Sequence, residues 1–378
     1  MFLGVALGVA LGLAARFLLP PHVTQTLVDS VTTPLGQVFL RLLFLLAVPV
    51  VFSALVVGVC ELDLKSLGRI GLRTLGFTTL ASTVAVLIGL VLVNVVGPGR
   101  GQSDLRALSL TLSAGTPIPT PPAASGASLF VQMIPDNPVK AAATGDMLGL
   151  IVFSLLLGFA LGQVKTPGSA RLREMIQGLF DVSMYLLEGI LRFAPLGIGA
   201  LLFTTAATVG FEVVRQIGSY VAVVLGALAL HMFGSFSILL WVFAKKNPFT
   251  FFRAVRLPIE TAFATASSSA ALPVSLEAAD KNLHLPPPVA RFVLTAGASM
   301  NQNGTALFEG VTVLFLAQLF GVELSLTEQA SVMVICILGG IGTAGIPGAS
   351  LPVIAMILGR VGVPPEGLAL VFGVDRIL

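Results

Sequence analysis

Three short polar runs interrupt an otherwise apolar chain, and each offers a different kind of ligand. Ser267, Ser268 and Ser269 place three hydroxyls in succession, with Pro273 shortly after them. Serine hydroxyls compete for backbone hydrogen bonds, so such a run favours a cap or turn over a helix interior. The run Asn301, Gln302, Asn303, Gly304 and Thr305 combines carboxamides, a glycine and a hydroxyl. A helix broken there frees carbonyls, and unwound backbone coordinates a cation without burying a full charge. The third run, GIGTAGIPGAS at 340–350, is rich in glycine and contains Pro347. Backbone amides at the tips of such breaks attract anions. The chemistry these runs suggest is binding, not bond cleavage. A serine nucleophile needs a base beside it. No His or Lys lies near the serine run, and no G-x-S-x-G occurs.

The elements that must hold these runs are membrane helices. Of 378 residues, 56% are hydrophobic and 10% are charged, against roughly 25% charged in soluble domains. Apolar segments fall at about 1–20, 36–59, 71–97, 147–163, 174–205 and 212–244, and about 20 residues are needed to cross. The runs are continuous, which excludes the alternating pattern of a β-barrel. No basic stretch precedes the first run, so it reads as a membrane helix, clipped at its start, and not as a secretory signal. The stretch 98–146, with TPIPTPPAASGAS, reads as an outer loop followed by pieces of a broken fourth helix.

Basic residues set the orientation. Lys65, Arg69 and Arg73 follow the second helix, Lys165, Arg171 and Arg173 the fourth, and Lys245, Lys246, Arg253 and Arg256 the sixth. Six crossings with a cytoplasmic N-terminus satisfy the positive-inside rule at each turn. The net charge of +3 therefore reads as this bias and not as nucleic-acid binding. Cys60 and Cys336 lie in apolar segments, and His22, His231 and His284 lack metal-ligand spacing.

After residue 244 the pattern changes. Arms at 250–266 and 270–279 flank the serines, and both are short for a crossing. With basic flanks on both sides they read as a hairpin entering from the cytoplasm. A crossing at about 289–320 is interrupted at NQNGT, and arms at 329–339 and 351–361 flank the third run as a second hairpin from outside. Irregular backbone at membrane depth requires protein or water around it. Two broken pairs entering from opposite sides are the mark of a secondary transporter with inverted repeats. Re-entrant glycine-rich loops also build channel filters, but two unlike hairpins in one chain favour a closed site.

At these residues the chain resembles the dicarboxylate/amino acid:cation symporter family. VPVVFSALVVGVCELDLKSLGRIG resembles its second helix and following loop, and IPDNPVKAAATGDMLGLIVFSLLLGFALG its fourth. TASSSAALPVS resembles the first hairpin, GASMNQNGTALFEG the broken seventh helix and GIGTAGIPGAS the second hairpin. The resemblance implies an all-α polytopic fold with about seven full crossings, two re-entrant hairpins and the start of an eighth helix. It implies one membrane domain over 1–378, with a scaffold (about 1–62 and 130–210) and a transport core (about 70–97 and 212–378) that moves like an elevator. It also implies a homotrimer in the bacterial inner membrane. Such a protein is a symporter and not an enzyme, has no cofactor, and carries an acidic amino acid or C4-dicarboxylate with Na⁺, H⁺ or both. The alternative within the family is a neutral amino-acid symporter for serine or threonine.

The same resemblance implies site residues. Gly297 and Asn301 would serve one cation site, and the carbonyls of Ser299, Gly340 and Ile341 with Thr343 a second. Ser267 and Ser268 at the first tip, Ile346 and Ser350 at the second, and Thr305 would meet substrate. The alternative is that the small residues serve close packing and the serines cap broken helices. A third cation site would involve Ser82 and Asn303. There the chain departs from the family: Asn303 stands where many members carry Asp, and Thr78 and Ala81 where some carry Tyr and Thr. Gln302 replaces a common Met, Ser350 a common Gly, and Ala266 an Arg of some members. The resemblance also implies that the eighth helix continues past Leu378 with an Asp and an Arg about one turn apart. Without that helix the 378-residue chain is expected neither to bind nor to transport substrate.

Overall fold

The computed structural model describes residues 2–60, 69–100, 134–144, 147–208, 210, 212–342, 350–363, 367–372, 374 and 378. All regular structure among them is helical. The chain opens with α1 (Phe2–Leu18), α2 (Pro21–Leu27), α3 (Thr33–Cys60) and α4 (Arg69–Val96). The fourth apolar segment forms α6 (Met147–Gln163), preceded by α5 (Pro138–Thr144); residues 145 and 146 lie outside the described residues, and with them the break expected there. Asn137 starts α5 by accepting from the Val139 N–H at 2.9 Å.

The 42-residue α7 (Pro167–Thr208) extends beyond the apolar stretch that marks it in the sequence. It bends by 50° between Pro167–Ile190 and Arg192–Thr208. Pro195 lies inside it, and a proline there denies the Leu191 carbonyl its N–H partner. Next, α8 (Glu212–Ala229) runs on through π-helical turns at Leu230–Ser235 and Leu240–Ala244. It ends at Lys245 in left-handed conformation (φ 50°).

Length and composition mark two described helices as able to cross a bilayer, Ile70–Val96 and Arg215–Ala244, or three if the bent α7 is one span. Shorter apolar stretches fall within α1, α3, α6 and the helix Leu326–Gly342, and the all-helical architecture of the described residues agrees with the sequence.

Small residues let α1 and α7 meet backbone to backbone. Gly4, Gly8 and Gly12 face Pro195, Gly199 and Phe203, with no room for a Cβ at any of the three. This G-x-x-x-G-x-x-x-G stripe is the packing used where lipid supplies no hydrophobic drive. Arg16 then closes the end of α7 by donating to the Thr208 carbonyl at 2.7 Å. α3 packs on both α6 and α7. Elsewhere, α4 packs on α8 and on the buried helix that carries the candidate site.

Candidate functional site

The site is built from helix ends. The first hairpin comprises α9 (Pro248–Ala254), α10 (Arg256–Thr265) and α11 (Ser268–Lys281). α10 ends at Ala266 in left-handed conformation (φ 49°), and Ser267 follows in extended conformation as the cap of α11. The Ser267 hydroxyl accepts from the Ala270 N–H at 3.2 Å. The tip is therefore only two residues long, and the serine run begins a helix. Ser267 and Ser268 are half-buried. At the base, Asn282 Nδ2 donates to the Ala254 carbonyl at 2.6 Å and ties the two arms together.

The broken crossing is α12 (Pro287–Met300) followed by α13 (Asn303–Leu319). Its ladder runs to the Asn301 N–H, bonded to the Gly297 carbonyl at 2.9 Å, and resumes with Ala306 N–H to Gln302 carbonyl at 3.0 Å. Between them Asn301 (ψ 58°) and Gln302 (ψ 46°) leave the helical region. Two residues thus turn backbone carbonyls off the helix axis, as the NQNGT run suggests. α13 is buried almost all round, from Ala306 to Ala317, so it is the central post of its surroundings. It packs on α4, where Gly89 lies against Val311 and Leu307. Tyr220 of α8 and Thr312 of α13 share a buried hydrogen bond of 2.7 Å. On α4, Thr78 and Ser82 are both buried.

The second hairpin brings α14 (Leu326–Gly342) and α15 (Ser350–Arg360). A capping box starts α14: Ser325 N–H donates to Glu328 at 2.7 Å, and Glu328 N–H to the Ser325 hydroxyl at 3.3 Å. α14 lies on α13 so that a Cβ at Gly340 would sit 3.1 Å from the Gln302 carbonyl oxygen and 3.2 Å from Ala306 Cβ. Gly340 thus brings hairpin backbone against the helix break. Leu228 of α8 closes the other side, 3.6 Å from a Cβ placed at Gly304.

The structure thus joins Gly297, Asn301, Gln302, Asn303, Thr305 and Gly340 around one break. Asn303 Nδ2 lies 3.5 Å from Asn301 Oδ1, and Thr305 Oγ1 lies 3.4 Å from Gln302 Oε1. Ser299 and Ile341 lie in α12 and α14, and Ser350 is the first residue of α15. Thr343 and Ile346 lie outside the described residues, as do the loops 61–68 and 101–133.

One residue escaped the reading of motifs. Glu309, two turns into α13, is fully buried, and neither carboxyl oxygen has a hydrogen-bond partner among the described residues. Its Oε2 lies 3.7 Å from a Cβ placed at Gly339, so it faces the second hairpin. The signal was present: a lone acid inside the apolar run TALFEGVTVLFLAQL. An ionisable residue at membrane depth is a functional candidate by default.

The family model for the sodium:dicarboxylate symporter family matches residues 1–378. The chain belongs to this sodium:dicarboxylate symporter family. It is 32% identical over 382 residues to the proton/sodium-glutamate symport protein of Bacillus caldotenax, spanning 100% of this chain and 88% of that relative. It is 31% identical over 359 residues to the proton/glutamate-aspartate symporter of Escherichia coli (strain K12), with 93% and 81% covered. Excitatory amino acid transporter 3 of Mus musculus is 29% identical over 429 residues, with 99% and 79% covered. As a member of a symporter family, the chain is placed among membrane transporters and not among enzymes.

Proposed function

We propose that this protein is a secondary symporter that carries an acidic amino acid, glutamate or aspartate, or a C4-dicarboxylate into the cell with a coupling cation. One observation carries the reading: a two-residue break at Asn301–Gln302 at the head of a buried central helix, covered by Gly340 of a second hairpin. Carbonyls at the end of α12 suit a cation, because a helix C-terminus carries about half a negative charge. The amides that begin α11 suit a carboxylate for the opposite reason. Ser267, Ser268, Thr305, Ile346 and Ser350 are assigned to substrate. Gly297, Ser299, Asn301, Asn303, Gly340, Ile341, Thr343 and Ser82 are assigned to cations. The names of the glutamate and glutamate-aspartate symporters it resembles support the substrate class.

Glu309 supplies a route for protons. It is buried at membrane depth against the second hairpin, with no hydrogen-bond partner for either oxygen among the described residues, and a carboxyl so placed can take up and release a proton as the core moves. Movement follows the division implied by the family resemblance: α4, α8, both hairpins, α12 and α13 shift as a transport core against a trimeric scaffold of α1, α3, α6 and α7. The bacterial inner membrane and a cytoplasmic N-terminus belong to the same reading.

The test uses the protein in proteoliposomes with imposed sodium or pH gradients. Saturable, gradient-driven accumulation of radiolabelled glutamate or aspartate is the expected result. Flux that follows the substrate gradient alone and does not saturate would make it a channel. Accumulation of serine in preference to both acids would favour the neutral amino-acid reading.

A further inference from the structure

The break contains a feature that bears on which cation it admits. Gln302 is buried, and its Nε2 donates to the Ala298 carbonyl at 2.7 Å. Its Oε1 faces the Thr305 hydroxyl at 3.4 Å. The assignment of nitrogen and oxygen is chemically forced at the short contact, since a carbonyl accepts only from the NH₂ group. One carboxamide thus spans the break from the last turn of α12 to the first turn of α13. Its own backbone carbonyl is roofed by Gly340.

The position of that NH₂ group matters. It sits at the C-terminal end of α12, where the helix dipole and unpaired carbonyls attract positive charge. Residues 297–305 carry no Asp or Glu, so no formal negative charge offsets a dehydrated cation within the break itself. A sodium ion taking the Ala298 carbonyl must displace the amide and leave a buried NH₂ without a partner. The unmet donor weakens such binding by about tenfold or more.

We propose that Gln302 determines coupling-ion specificity: its carboxamide occupies, as a tethered donor, the place a sodium ion would take at the end of α12. The inference rests on the symport reading and goes beyond it by naming the residue that makes the break poor in sodium. Asn303, whose Nδ2 lies 3.5 Å from Asn301 Oδ1, can offer a cation its carboxamide oxygen but brings no negative charge to the break.

The experiment compares the protein with its Gln302→Met and Gln302→Leu variants. Both substitutions replace the carboxamide with an apolar side chain of similar length or bulk and remove the donor. Radiolabelled sodium binding is measured on purified, monodisperse protein, and glutamate uptake is measured in parallel. Sodium affinity is expected to rise about tenfold in whichever variant folds, with uptake becoming more dependent on sodium. Unchanged or weaker sodium affinity in both variants, with the parent protein still transporting, overturns the role of Gln302 and leaves the symport reading standing. Absence of gradient-driven uptake by the parent protein removes the symport reading and this inference with it. Should neither variant give monodisperse protein, Gln302 is structurally required at the break, and its role as an ion selector is overturned.

Discussion

Replacing Gly340 by alanine tests the contact between the second hairpin and the helix break. The added Cβ would lie 3.1 Å from the Gln302 carbonyl oxygen and 3.2 Å from Ala306 Cβ, so something must give by a few tenths of an ångström. Neither neighbour is free to move. One is backbone at the break, and the other is a fully buried residue of α13. Overpacking of this kind typically costs about 1–3 kcal/mol, so α14 is expected to ride away from the break. At about 1.4 kcal/mol per tenfold, the occupancy of the closed arrangement falls roughly tenfold or more. Gly359 on α15 is the control: it is exposed, and nothing lies within 4 Å of its Cβ position. Its change to alanine should be neutral or stabilise by up to about 1 kcal/mol. The assay is initial-rate uptake of glutamate with thermal unfolding on the same preparations. Gly340→Ala should lower apparent substrate affinity while Gly359→Ala does not. Equal uptake and equal unfolding temperatures for the two variants would refute the packing argument.

Other expectations follow from single features of the structure. Glu309→Gln keeps the shape of a buried carboxyl that has no hydrogen-bond partner among the described residues and removes its titratable proton; uptake driven by a pH gradient should be lost, whereas retained proton-driven uptake would rule out Glu309 as the carrier. Asn301→Ala should abolish cation-dependent uptake while leaving chromatographic behaviour unchanged, because its side chain borders the break and meets Asn303 at 3.5 Å. Gly8→Leu has no space against Gly199 and should lower the unfolding temperature far more than Gly178→Leu, where nothing lies within 4 Å of the Cβ position; similar losses would mean that the α1–α7 stripe does not hold the fold together.

The positions of helices and breaks were legible because they depend on local chemistry. The serine run and the NQNGT run each alter backbone preference within a few residues, and the structure places a cap at the first and an interruption at the second, whereas Pro273 lies inside α11 without breaking it. Even the length of α7 has a local lesson: its polar first turns carry no apolar signal, yet they continue the helix as far as Pro167. What the sequence could not show is what each face meets. Gly4, Gly8 and Gly12 announce a smooth stripe, but their partners in α7 lie nearly 200 residues away. Gly340 reads as a tip glycine, and only the packing of α14 on α13 sets it against Gln302. Glu309 reads as one acid in an apolar run, and only the fold buries it with no hydrogen-bond partner among the described residues. Periodicity and turn chemistry are properties of neighbouring residues. Burial, hydrogen-bond partners and close backbone approach are properties of chain segments brought together, and these settle the geometry of the break.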